Sequence, residues 1–172
     1  EEVYFATSHL KAGGGIMVTA SHNPADFNGM KLVREQSRPI SGDTGLDEIR
    51  CRAEQLFGKV PPTHGMPGRI RSIDTRDAYV RHLLGYVDPA GLKPLRIVVN
   101  AGNGSAGPVI DQLEPHLPFD LVKVHHQPDG RFPHGVPNPL LPENRAVSSA
   151  AVREHGADLG VAPPALELAL TP

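Results

Sequence analysis

An α/β fold, made of three-layer α/β/α units with mixed, largely parallel sheets, is predicted by three features of this 172-residue sequence. Short apolar runs of strand length alternate with stretches of helical period. The second half repeats strand, helix and strand within about thirty residues, the span of a βαβ unit. Hydrophobic residues make up 39%, enough for a packed core, and the 18 Gly and 18 Pro, about a fifth of the chain against a usual share of about 12%, separate the elements with loops.

Taken in order, Val3 to Ala6 reads as the end of a helix or a strand and leads to Ser8-His9. The triple glycine Gly13 to Gly15 breaks it, and Ile16 to Thr19 follows as a short buried strand. A polar loop, Ala20 to Gly29, precedes a returning strand at Met30 to Val33. That loop is longer than a simple hairpin needs, and loops of this kind in compact domains are often functional. Turn chemistry at Ser41 to Gly45 leads into a helix from Leu46 to Phe57, with Leu46, Ile49, Ala53 and Leu56 on one face and Gly58 as its stop. Pro61 to Gly68 is a breaker cluster. Asp74 to Val87 reads as a helix capped by Asp74 or Thr75.

Leu95 to Val99 is an apolar strand, closed by the Gly-rich run Asn100 to Gly107, with Pro108 where a helix begins. Phe119 to Val124 supplies the next strand, Glu143 to His155 a helix, and Asp158 to Ala162 a third strand. The boundary between two domains is placed after Ile73. They are 1–73 and 74–162, with a tail of 163–172.

Charge narrows the function. Lys plus Arg number 17 and Asp plus Glu 19, a net charge of -2, which offers no basic field for nucleic acid or an anionic membrane. The apolar runs fall far short of the roughly 20 residues of a membrane span. A single cysteine, Cys51, excludes an internal disulfide framework and suits a reducing compartment, the cytoplasm. The chain opens on Glu1-Glu2 without an initiator Met and stops on Thr171-Pro172, so it is expected to be incomplete.

The chemistry concentrates in Thr19-Ala20-Ser21-His22-Asn23-Pro24. Ser21 and His22 are adjacent, so their side chains diverge and His22 is poorly placed as a base for Ser21. There is no G-x-S-x-G elbow either. A serine that carries a phosphoryl group fits better. Such a group needs a cation and hydrogen-bond donors to hold about two negative charges, and Asn23, Asn28, Gly29 and Lys31 supply these residue types within ten positions.

The stretch Gly15 to Pro24, followed by Asp26-Phe27-Asn28-Gly29-Met30-Lys31, resembles the phosphoserine loop of the α-D-phosphohexomutase family, in its bacterial phosphomannomutase/phosphoglucomutase branch. Further similarity runs through Pro39 to Gly45, Val99 to Gly104, His125 to Gly130, Gly135 to Pro139 and Gly156 to Ala162, so it covers residues 1 to 162. The resemblance implies a four-domain enzyme that interconverts hexose 1- and 6-phosphates, of mannose or glucose, through a hexose 1,6-bisphosphate. Residues 1–73 would be the later part of domain I and 74–162 domain II. Ser21 would be the phosphoserine, Lys31 a general acid/base beside it, and His22 a neighbour in the same loop.

The family also implies Mg²⁺, touched by the phosphate on Ser21 and held by three carboxylates of a D-G-D-x-D-R loop. Here the sequence departs from the pattern: after Ala162 it reads Pro163 to Pro172 with Glu167 as its one acidic residue. The expectation is therefore a truncated copy with impaired activity, the alternative being an inactive remnant or a weak sugar-phosphate-binding module. Other groups read as structural. His125, His126 and His134 are expected in hydrogen-bonded or solvated loop roles rather than as metal ligands, and Asn100 to Gly107 in close strand-helix packing. Asp43 is expected as a turn residue, and Cys51 as a small inert side chain between two arginines.

Overall fold

The computed structural model describes residues 1–59, 68–138 and 141–162, with a short strand at Glu167–Ala169. The breaker expected at 61–68 lies outside the described residues except for Gly68, as does most of the tail 163–172. The chain forms two compact units, Glu1–Val18 with Met30–Thr75, and Thr19–Gly29 with Arg76–Pro172.

The first unit begins with helix α1 (Glu2–His9), so the opening apolar stretch is helical. Its buried residue is Thr7, whose hydroxyl donates to Val3 O at 2.6 Å and so satisfies itself within the helix. Strands β1 (Gly14–Val18) and β2 (Met30–Arg34) pair antiparallel, with Ile16 opposite Leu32, Met17 opposite Lys31 and Val18 opposite Met30. The expectation of a buried strand at Ile16 to Thr19 is corrected. Alternate side chains leave opposite faces of a strand, and Ile16 and Val18 share a face that is more than half exposed, 63% and 62%. Val33 is buried. After a short turn at Glu35–Ser37, a capping box joins Ser41 and Thr44 and starts helix α2 (Leu46–Leu56). The apolar stripe of α2 is as the spacing predicts, but Leu46, Ile49 and Leu56 remain exposed.

The second unit is the α/β layer. Helix α3 (Arg76–Leu84) starts two residues later and ends three earlier than the pattern indicates, and buries Tyr79 and Val80. Strand β3 (Leu95–Asn100) leads through the Gly-rich turn to helix α4 (Ala106–Leu113), against which α3 packs. Pro108 sits in the first turn of α4, where a missing N–H costs nothing. Strand β4 (Phe119–Val124) lies parallel to β3, with Ile97 opposite Leu121 and Val99 opposite Lys123. Helix α5 (Pro142–His155) then crosses to strand β5 (Leu159–Ala162), parallel to β3 on its other side. Strand β6 (Glu167–Ala169) adds an antiparallel edge, so the order is β4-β3-β5-β6.

β3 is the centre of the sheet because it can be buried on both faces. Val98 is 0% exposed and packs with Ala151 and Val152 of α5, while Ile97 and Val99, which point the other way, are buried as well.

Candidate functional site

The loop Thr19–Gly29 is closed at its stem by a hydrogen bond from Thr19 N to Gly29 O, 2.9 Å. Two turns fold it inside that closure, Asn23 N donating to Ala20 O (3.1 Å) and Phe27 N to Pro24 O (3.0 Å). Asn28 Oδ1 accepts from Gly29 N at 2.9 Å. Ser21 lies one residue into the first turn with φ 56°, the left-handed region that serine rarely adopts. Its N–H donates to Thr19 Oγ1 at 3.0 Å. The loop is therefore held by its own hydrogen bonds, yet Ser21, Asn23 and Asn28 are exposed and His22 is half-buried.

Four of the five predicted site residues, Ser21, His22, Asn23 and Asn28, thus share one closed loop. The fifth, Lys31, lies exposed on β2 opposite Met17. Among the described residues, Ser21 Oγ, the His22 ring, the Asn23 amide and Lys31 Nζ have no hydrogen-bond partner. The residue passed over in the sequence reading is Thr19. The Thr-x-Ser spacing, in which a hydroxyl caps an N–H two residues on, was the available signal.

The second cluster of polar residues stands at the carboxyl ends of β3 and β4, where open α/β sheets commonly bind ligands. Asn103, buried and at φ 56°, ties this region together. Its N–H donates to His125 O (2.7 Å), its Nδ2 to Gln127 O (2.9 Å), its O accepts from Asp129 N (2.9 Å), and its Oδ1 accepts from His134 Nδ1 (3.0 Å). The His125 ring stacks on His134 with centroids 3.8 Å apart and planes 7° from parallel. Burial, and then the nearness of His134, hold the His125 imidazole below its ordinary value. His126 Nε2 donates to Asp111 Oδ1 (2.9 Å), and Lys123 Nζ donates to the same oxygen (2.7 Å) and to Glu114 Oε2 (2.6 Å). Those bonds lower the Asp111 carboxyl and raise Lys123.

Each of the three histidines therefore has a hydrogen-bonded or stacked role. The Gly-rich turn serves close packing, since a Cβ on Gly107 would stand 2.1 Å from His126 O. Asp43 accepts from Ser41 Oγ at 2.5 Å, which holds its carboxyl below the ordinary value and makes it a turn residue. Cys51 is exposed, and its flanking Arg50 and Arg52 are turned to Asp47 and Glu48.

A magnesium ion needs several hard oxygen donors converging on one point. Among the described residues, no group of three or more His, Cys, Asp or Glu is placed to hold a metal ion, so the residues present do not fit that ion. No described helix is long and apolar enough to cross a membrane.

A largely parallel α/β sheet together with a self-braced loop presenting an exposed serine defines an α/β protein with a serine displayed on a closed loop. Family models assign it further. "Phosphoglucomutase/phosphomannomutase, alpha/beta/alpha domain I" matches residues 1–57, and the corresponding domain II matches residues 77–163. The chain belongs to the phosphoglucomutase/phosphomannomutase family. A protein named "Phosphohexose mutases" from Xanthomonas campestris pv. campestris is 61% identical over 94% of this chain, and a phosphomannomutase from Salmonella typhimurium is 57% identical over the same share. The chain spans 36% of the length of each of these curated relatives. Among solved structures, a phosphoglucomutase/phosphomannomutase family protein from Burkholderia thailandensis superposes with a TM-score of 0.73 at 33% identity, over 91% of this chain and 34% of the other.

Proposed function

We propose that this chain is the phosphoryl-carrying part of a phosphohexomutase, an enzyme that interconverts hexose 1-phosphate and hexose 6-phosphate, with mannose or glucose as the sugar. The observation that carries this reading is Ser21, exposed and held at φ 56° in a closed loop of a chain from this family. In this reading Ser21 bears a phosphoryl group. A sugar hydroxyl attacks the phosphorus, the bond from phosphorus to Ser21 Oγ breaks, and a hexose 1,6-bisphosphate forms. After the sugar reorients, the serine oxygen takes back the other phosphoryl group.

The transition state spreads negative charge over the transferred oxygens, so positioning and cationic stabilisation do most of the work. Lys31 supplies a positive charge and a transferable proton for the serine oxygen. Asn23 and Asn28 offer side-chain amides to phosphate oxygens, and His22 offers a ring nitrogen. The metal that the family implies has no carboxylate set among the described residues. That same observation favours a second reading, a chain that binds sugar phosphate without steady turnover.

Incubating the chain with glucose 1,6-bisphosphate and following intact mass tests the first reading. One added phosphoryl group is expected on Ser21, none on Ser21→Ala, and a slower gain on Lys31→Ala at unchanged thermal stability. Labelled Ser21→Ala protein would refute the assignment. Continuous conversion of mannose 1-phosphate by the chain alone would remove the second reading.

A further inference from the structure

Ser21 occupies the first inner position of the turn closed by Asn23 N and Ala20 O, with φ 56°. Positive φ at that position belongs to the primed turns, which glycine ordinarily fills. For an L residue the left-handed backbone is disfavoured by roughly ten-fold in population. Glycine would adopt it freely but carries no hydroxyl. A serine required at this point for its oxygen therefore needs an outside hold on its backbone.

Thr19 provides one. Its N–H donates to Gly29 O, a stem bond that any residue but proline could make. Its hydroxyl does something separate: Oγ1 accepts from the Ser21 N–H at 3.0 Å, fixing the peptide that precedes the strained residue. We propose that Thr19 is a positioning residue, whose hydroxyl holds the Ser21 backbone so that Ser21 Oγ points out of the loop toward the incoming phosphoryl group. This inference rests on the reading of Ser21 as phosphoryl carrier. A transfer that depends on in-line alignment is sensitive to small misplacement of the accepting oxygen.

The two tasks of Thr19 separate by substitution. Thr19→Val keeps the shape and the stem bond and removes the acceptor, whereas Thr19→Ser keeps the acceptor and removes only the methyl. Both are compared with the unaltered chain for Ser21 phosphorylation by glucose 1,6-bisphosphate, for hydrogen exchange of the Ser21 amide by NMR, and for the urea unfolding midpoint. Losing a hydrogen bond of ordinary net worth corresponds to about five-fold in population. Thr19→Val is expected to slow phosphorylation by about that factor and to speed Ser21 amide exchange. Thr19→Ser should restore both, with unfolding midpoints of all three proteins close together.

A Thr19→Val chain that labels at the unaltered rate, while Ser21→Ala stays unlabelled, overturns the positioning role and leaves the carrier reading standing. Equal slowing in Thr19→Val and Thr19→Ser would show that a retained hydroxyl does not restore transfer, and overturns it too. An unaltered chain that takes no label at Ser21 overturns the carrier reading and the positioning role with it. Should Thr19→Val fold poorly, Thr19→Ala against Thr19→Ser makes the same comparison.

Discussion

Single atoms decide much of how the second unit is joined, and Gly107 is the sharpest case. It lies in the first turn of α4, and a Cβ built there would meet His126 O at 2.1 Å and His126 C at 3.2 Å. Both are backbone atoms, which cannot swing aside as a side chain can. Two effects of Gly107→Ala oppose each other. Alanine favours helix over glycine by up to about 1 kcal/mol, whereas forcing an extra carbon into a packed contact costs about 1–3 kcal/mol. Overpacking should win here because α4 or the His126 peptide has to move. Urea unfolding should show Gly107→Ala destabilised by about 1–2 kcal/mol. The control is Gly130→Ala, where an added Cβ meets nothing within 4 Å and the midpoint should stay within about 0.5 kcal/mol. A stabilised Gly107→Ala protein would mean that this contact is looser than the geometry requires. The composition of the Gly-rich turn favours packing over phosphate cradling. The partner, an oxygen 19 residues later, was not legible, because no local pattern encodes which carbonyl a glycine must avoid.

At the scale of elements, the loop that follows β4 shows how the histidines were half legible. Their composition argued for loop roles, but the stack of His125 on His134 arises only because Asn103 grips both ends of the segment. The groups around the pair are the neutral Asn103 amide and, along the same loop, Asp129, which is engaged with Arg131. Burial and His134 lower the His125 value, so the fold favours the neutral ring. A base whose value is lowered on folding stabilises the protein fully above its unfolded value, 6.5, and loses that contribution as pH falls through the folded value. Stability is therefore expected to decline as pH drops below about 6.5. That window is separate from the acid range in which Asp129, held at about 2 by Arg131, is protonated. Urea midpoints at successive pH values should show the decline, and His125→Asn, which tolerates φ 43°, should flatten it. An unchanged slope in His125→Asn would transfer the effect to another group. The same scale explains why a strand whose composition predicts burial is exposed on one face. Ile16 to Val18 is apolar throughout, and a two-stranded ladder buries one face at most, so alternation left Ile16 and Val18 outside.

For the whole molecule, the order of strands and helices from β3 to β5 was legible because each element there has a distinct period and a Gly or Pro stop. The serine loop was legible as a motif, though its geometry was not: φ at Ser21 and the Thr19 brace depend on how the chain closes between Thr19 and Gly29. The metal question belongs to this scale, since a divalent site needs several oxygens that are otherwise unengaged and converge on one point. The described acidic side chains are otherwise engaged or dispersed. Asp111 and Glu114 bind Lys123, Asp129 binds Arg131, Asp120 binds Arg96, and Asp47 and Glu48 bind Arg50 and Arg52. A ligand that binds only the folded state stabilises it by an amount set by its concentration over its dissociation constant. With one serine oxygen as donor, that constant lies far above millimolar, and a few millimolar Mg²⁺ should stabilise by less than about 0.3 kcal/mol. Thermal unfolding with EDTA and with 5 mM MgCl₂ should therefore give midpoints within about 1 °C of each other. Ser21→Ala should behave identically under both conditions. A rise of several degrees that vanishes in EDTA would require a carboxylate set assembled from outside the described residues, and a direct Mg²⁺ titration would then measure its affinity.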